Sequence, residues 1–141
     1  MPVTAYDLLK ECLYTKEEVD RFLDPGLPNW ARFDSELGYV LSDSVMRDGM
    51  DDSYTLAHYS PTGERRTVNY ANKACRINTY GDSFTQCHQV SDGETWQEYL
   101  AAHFGEPIRN FGVGGYGVYQ AYRRMLRVEK TKLSVPYMIL N

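Results

Sequence analysis

The chain predicts an α/β fold: a parallel sheet with helices on its faces, preceded by a small mixed lobe. Two observations predict it. From residue 75 the pattern alternates strand, helix, strand, helix, strand, with strand-like runs at 75–79, 107–111 and 136–140 and helical runs at 94–104 and 117–130. Before residue 71 the pattern is of another kind, short helical signals followed by irregular chain with isolated strand candidates. Residues 1–70 are therefore expected to form the lobe and residues 71–141 the α/β part.

Taken in order, residues 4–23 read as two short helices. Thr15 and Glu18 match a Thr-x-x-Glu capping box, and Pro25-Gly26 with Pro28 ends the segment. Tyr39-Val40-Leu41 and the run from Tyr54 to Tyr59 are strand candidates. Pro61-Thr62-Gly63 marks a turn, predicted to return a hairpin through Arg66-Thr67-Val68-Asn69-Tyr70. Helix 94–104 is bracketed by a Ser91–Glu94 capping box and a Gly105 stop, and its Trp96 and Tyr99 are predicted to be core. Helix 117–130 sets Val118, Ala121, Tyr122 and Met125 on one stripe. The chain stops at Asn141 within a strand-like run and without a polar tail, so we expect the front part of a longer protein.

Composition narrows the function. Apolar residues at 43% suit a packed core. The net charge is −4 and no dense basic run occurs, which argues against nucleic-acid binding. Cys12, Cys75 and Cys87 are odd in number and widely spaced, fitting neither a disulfide framework nor a zinc site; no metal or other cofactor is predicted. The N-terminus lacks a basic region followed by an apolar one, and no stretch is apolar enough for a membrane span, so a cytoplasmic location is expected.

Two loops carry the chemistry. Strand 75–79 runs into Gly81-Asp82-Ser83, after which Phe84-Thr85-Gln86-Cys87 opens a helical turn. A serine at a strand-to-helix corner has an exposed hydroxyl and backbone N–H groups aimed at whatever binds there. Strand 107–111 runs into Asn110-Phe111-Gly112-Val113-Gly114-Gly115-Tyr116-Gly117. Its glycines permit close backbone approach and free N–H groups for an anion. In a parallel sheet both loops fall at the carboxyl edge, where ligands bind. Ser83 is thus a candidate nucleophile beside half of an oxyanion hole. Asp82 is expected to stabilise the turn and Asn110 to tie the loops together.

On these motifs residues 75–141 resemble the SGNH, or GDSL, hydrolase family. The resemblance implies a three-layer α/β/α, flavodoxin-like fold, here incomplete. It implies Ser83 as nucleophile, with its own N–H in the oxyanion hole. The family's Asn-x-x-x-x-Gly pattern falls on Asn110 through Gly115, making Gly115 the second donor, with Gly114 the near alternative. Phe84 replaces the family's usual leucine after Gly-Asp-Ser. The family's third block is an asparagine in Gly-x-Asn-Asp; Asn141 has Ile139 two residues before it, so that asparagine is expected beyond Asn141. The family's Asp-x-x-His spacing occurs nowhere, so the general base and its orienting acid are missing from these residues.

The implied reaction is ester hydrolysis through an acyl-serine, on a small-molecule or carbohydrate ester, with this chain alone inactive. A glycan O-acyltransferase using the same nucleophile and a non-catalytic binding module on a decayed hydrolase fold are the rival readings. None of the three histidines is assigned as base: His58 reads as a strand residue, His88 as surface, His103 as the last turn of a helix. Cys87 reads as a small packed residue, and Asp82, Gly114 and Tyr116 as binding residues, with Tyr119 as a further groove candidate.

Overall fold

The computed structural model describes residues 13–24 and 26–141. The first expected helix, at the very front of the chain, lies outside them. The second is α1, Lys16–Leu23. Its capping box is formed: Thr15 Oγ1 accepts from Glu18 N at 3.2 Å, and Thr15 N donates to Glu18 Oε2 at 2.7 Å. Two free N–H groups of the first turn are satisfied in this way.

Two antiparallel hairpins follow. Strand β1, Ala31–Asp34, pairs with β2, Gly38–Leu41. Asp34 builds the turn, its Oδ1 accepting from Glu36 N and Leu37 N, while Gly38 supplies a φ of +85°. Strand β3, Ser44–Met46, pairs with β4, Thr55–Ala57. The expected turn at Pro61-Thr62-Gly63 forms, with Gly63 at φ +76°. The expected return strand at 66–70 does not. The pairing ends with Arg66 N on His58 C=O, and the next donors are taken elsewhere. Val68 N and Asn69 N donate to the two oxygens of buried Glu98 at 2.8 and 2.7 Å. With its donors held by a carboxylate, the segment offers no ladder to a partner strand.

The remaining elements build the parallel sheet. They are β5 (Ile77–Tyr80), α2 (Ser83–Gln86), α3 (Trp96–Phe104), β6 (Ile108–Asn110), α4 (Val118–Val128) and β7 (Tyr137–Leu140). The sheet order is β6-β5-β7 with both pairings parallel. Successive strand residues point to opposite faces. Thr79 Oγ1 accepts from Gln97 Nε2 of α3. Asn78 and Tyr80 reach Glu129 at the end of α4. The helices α3 and α4 therefore lie on opposite faces of the strand between them. Gly105 ends α3 at φ +70°, as its position in the sequence requires.

The buried stripe of α4 is Ala121, Arg124 and Val128, with Met125 packed beside it. This corrects the expected stripe: Val118 and Tyr122 face solvent, and Arg124 takes the central place. The Arg124 guanidinium lies over the Phe111 ring and donates to Gly63 C=O at 2.6 Å, so burial is partly compensated by a carbonyl and an aromatic face. Tyr99 is likewise exposed rather than core, and Trp96 only half-buried, because α3 buries Gln97, Glu98 and Ala101 instead. Leu37, Val40 and Leu41 of the first hairpin share one apolar cluster with Val113 and Tyr116, joining the front segment to the α/β part. Among the described residues no helix is long and apolar enough to cross a membrane.

Candidate functional site

Ser83 opens α2, directly after the end of β5. Asp82 is the N-cap: its Oδ1 accepts from Phe84 N at 2.9 Å and its C=O from Gln86 N at 2.9 Å. The turn-stabilising role expected of Asp82 is what the geometry shows. A single helical turn cannot sustain itself, because it leaves nearly all its carbonyls without intrahelical donors. Here neighbouring side chains supply them. Gln97 Nε2 and Asn110 Nδ2 donate to Thr85 C=O at 2.9 and 2.8 Å. Arg65 Nη1 donates to the C=O of Gln86 and of Cys87 at 2.6 and 2.9 Å, and its Nη2 to Val90 C=O at 2.6 Å. Its remaining Nε donates to buried Asp92 at 3.1 Å. The helix ends at Cys87, whose φ is +58°.

The glycine-rich loop lies against this turn. A Cβ at Gly112 would sit 2.5 Å from the Thr85 carbonyl carbon, so only glycine lets the loop backbone touch the α2 backbone. Asn110 fastens the same contact from the other side, its Oδ1 accepting from Gly112 N at 2.9 Å. Asn110 thus ties the two loops together as expected. Gly114 stands next to the nucleophile candidate, with the Ser83 Cβ 3.7 Å from the position a Gly114 Cβ would take.

The two glycine N–H groups differ. Gly114 N donates to Gln86 Oε1 at 2.5 Å and is occupied. Gly115 N has no acceptor among the described residues. Tyr39 sets its direction: the phenol donates to Gly114 C=O at 2.5 Å. In a trans peptide the carbonyl and the following N–H point opposite ways. The Gly115 N–H therefore points away from Tyr39. Gly115 itself has φ +82°, and a Cβ there would lie 2.6 Å from the Tyr39 hydroxyl.

Ser83 is half-buried, and its hydroxyl and N–H have no partner among the described residues. No histidine bonds to it. His58 pairs with Asp92, Nδ1 to Oδ2 at 2.7 Å, on a cleft lined by Cys75, Pro107 and Arg109 where β5 and β6 begin. Ser83 follows the opposite end of β5. His88 is exposed beyond the point where the chain leaves α2, and His103 lies edge-on to Phe104 in the last turn of α3. Burial pushes the Cys87 thiol up, which keeps it protonated and packed.

Tyr116 is corrected. Rather than lining a groove, it is buried in the apolar cluster, its hydroxyl donating to Tyr39 C=O and its pKa pushed up to about 12 by burial. Tyr119 is exposed on the first turn of α4. Asn141 adjoins the Ser83 corner: its N donates to Tyr80 C=O at 2.9 Å, and its own C=O lies 2.9 Å from where a Gly81 Cβ would be.

Sequence reasoning missed Arg65, Tyr39 and Gln86. Arg65 meets its partners across 21 to 27 positions of sequence, so no local pattern marks it. Gln86 had a weak signal, being a polar residue in the turn after the serine. Among the described residues, no group of three or more His, Cys, Asp or Glu is arranged to hold a metal ion. No family model, curated protein or solved structure matches the chain.

Proposed function

We propose that Ser83 is the nucleophile of an SGNH-type serine hydrolase acting on ester bonds, and that the three-stranded sheet is the centre of a three-layer α/β/α domain. One observation carries the reading. Ser83 has an unengaged hydroxyl and N–H at a helix start, beside a glycine loop whose Gly115 N–H is likewise unengaged. In this reading Ser83 Oγ attacks the ester carbonyl carbon, and its proton passes to a base. The two N–H groups hold the oxyanion, the ester C–O bond breaks, and the alcohol leaves with a proton. Water then releases the acid and restores the serine. The occupied N–H of Gly114 favours Gly115 as the second donor.

The reading also fixes what this chain does alone. No described histidine bonds to Ser83, so deprotonation is unassisted and turnover is absent. Incubation with p-nitrophenyl acetate tests it, followed by peptide mass mapping. Expected is slow acetylation of Ser83, faster than the reaction with water by at most on the order of 10³-fold. It should be accelerated by added imidazole and abolished by Ser83→Ala. Acetylation confined to lysines and tyrosines, unchanged in Ser83→Ala, would overturn the assignment.

A further inference from the structure

The helix α1 does not close onto the first hairpin. None of its residues is buried, and between it and β1–β2 lies a cleft of about 470 Å³. That size falls in the range of about 300–1,000 Å³ typical of small-molecule sites. Its walls are aromatic: Tyr14, Phe22, Trp30 and Tyr39, with Arg21 and Asn29 on the same cleft. Trp30 and Tyr39 meet edge to face at 5.7 Å, an arrangement that leaves much of the indole open, 45% of Trp30 being exposed. Tyr14 is more open still.

We propose that this cleft binds a sugar ring of a carbohydrate ligand. A methylene chain is best held in an aliphatic slot, whereas this cleft has one aliphatic residue, Val19, among four aromatic ones. A pyranose presents apolar C–H faces and a rim of hydroxyls. Open aromatic faces match the first, and a guanidinium and an amide in hydrogen-bonding reach match the second. Tyr39 joins the cleft to the candidate catalytic loop. Its ring forms one wall, and its hydroxyl donates to Gly114 C=O, next to Ser83. That contact lies on the carbonyl side of the Gly114–Gly115 peptide, so Tyr39 couples the cleft to the loop through the peptide plane. The role as a substrate subsite rests on the acyl-serine reading; the binding of sugar does not.

The test is calorimetric titration of the full 141-residue chain with cello-, xylo-, manno- and chito-oligosaccharides, and separately with sodium hexanoate. Expected is binding of at least one oligosaccharide with a Kd on the order of 1 mM or tighter. Ser83→Ala should bind equally, while Trp30→Ala and Tyr14→Ala should each bind at least roughly tenfold more weakly. Both aromatic variants alter exposed side chains, and retained circular dichroism verifies their folding. Absence of binding by every oligosaccharide, binding of hexanoate alone, or oligosaccharide binding unchanged in both aromatic variants would overturn the proposal. Sugar binding without Ser83 acetylation would keep the cleft and remove the hydrolase reading. Ser83 acetylation without sugar binding would do the reverse.

Discussion

Arg65 donates to the main-chain carbonyl of Gln86 at 2.6 Å, and through that bond the front segment holds the turn on which Ser83 sits. The guanidinium is almost wholly buried, and each of its nitrogens has a partner: three carbonyls in or just after the turn and the Asp92 carboxylate. A planar fork satisfies such a set; an ammonium does not.

Replacing Arg65 should therefore be severe. Arg65→Met leaves the buried Asp92 carboxylate with His58 alone and frees the Val90 carbonyl. It leaves Gln86 C=O only the long bond from Asn110 Nδ2, and Cys87 C=O only the long one from Val90 N, at an expected cost of about 3–5 kcal/mol in urea unfolding. Arg65→Lys should recover less than half of that loss. A variant within about 1 kcal/mol of the parent would show that the clamp is dispensable.

Gly112 should tolerate nothing larger. In Gly112→Ala the new methyl meets the Thr85 and Gln86 backbone, so the two loops must separate, with an expected loss of about 1–3 kcal/mol. Gly93→Ala, where a Cβ meets nothing within 4 Å, is the control and should stay within about 0.5 kcal/mol. Equal losses at both positions would mean that close approach is not the reason for glycine at 112.

Tyr39 separates stability from reactivity. Tyr39→Phe removes one hydrogen bond, worth about 1 kcal/mol, and releases the Gly114–Gly115 peptide plane. The melting midpoint should fall modestly, while Ser83 acetylation should slow by up to on the order of 10²-fold. A parallel small loss in both would assign Tyr39 to packing alone.

Acid should weaken the fold through Glu129. Burial works to raise its pKa, but hydrogen bonds from Tyr80, Asn78 and Val135 N outweigh it and hold the carboxyl below its ordinary value of 4.5. A carboxylate depressed in the folded state contributes stability above its unfolded pKa and loses it as pH falls through the folded one. Stability measured by urea titration should thus fall below about pH 4.5. Glu129→Gln should be less stable at neutral pH and show a shallower acid slope. An unchanged slope would place the acid sensitivity elsewhere, for example at Asp34, whose carboxyl is also held low by Leu37 N and Arg127 against burial.

Local chemistry was readable where local residues decide the outcome. Thr15 with Glu18 and Gly105 mark helix boundaries because each cap is made within a few residues. Ser91 with Glu94 instead brackets a short 3-10 turn, Asp92–Glu94, and α3 starts two residues later than expected, with Thr95 as its N-cap. The three parallel strands were readable from the alternation of strand-like and helical runs, within two residues at each end. The return strand at 66–70 was not, because Glu98, on another element, captures its donors. Tyr116 looked like a groove residue from its place beside glycines, yet Leu37 and Val40 bury it. The serine corner and glycine loop were visible as motifs. The side chains that hold them, Arg65, Tyr39 and Gln97, act across the chain and leave no local pattern.

The capture of α2 by distant side chains has a kinetic consequence. Residues 65, 97 and 110 must all be in place before the carbonyls at 85–87 are satisfied, so the serine corner depends on long loop closures and should be among the last parts to form. Once formed, it cannot fray by itself, because releasing it breaks three separate regions at once. Amide exchange at Gln86 and Cys87 should then proceed only through cooperative unfolding of the domain, protecting a one-turn helix as strongly as the sheet beside it.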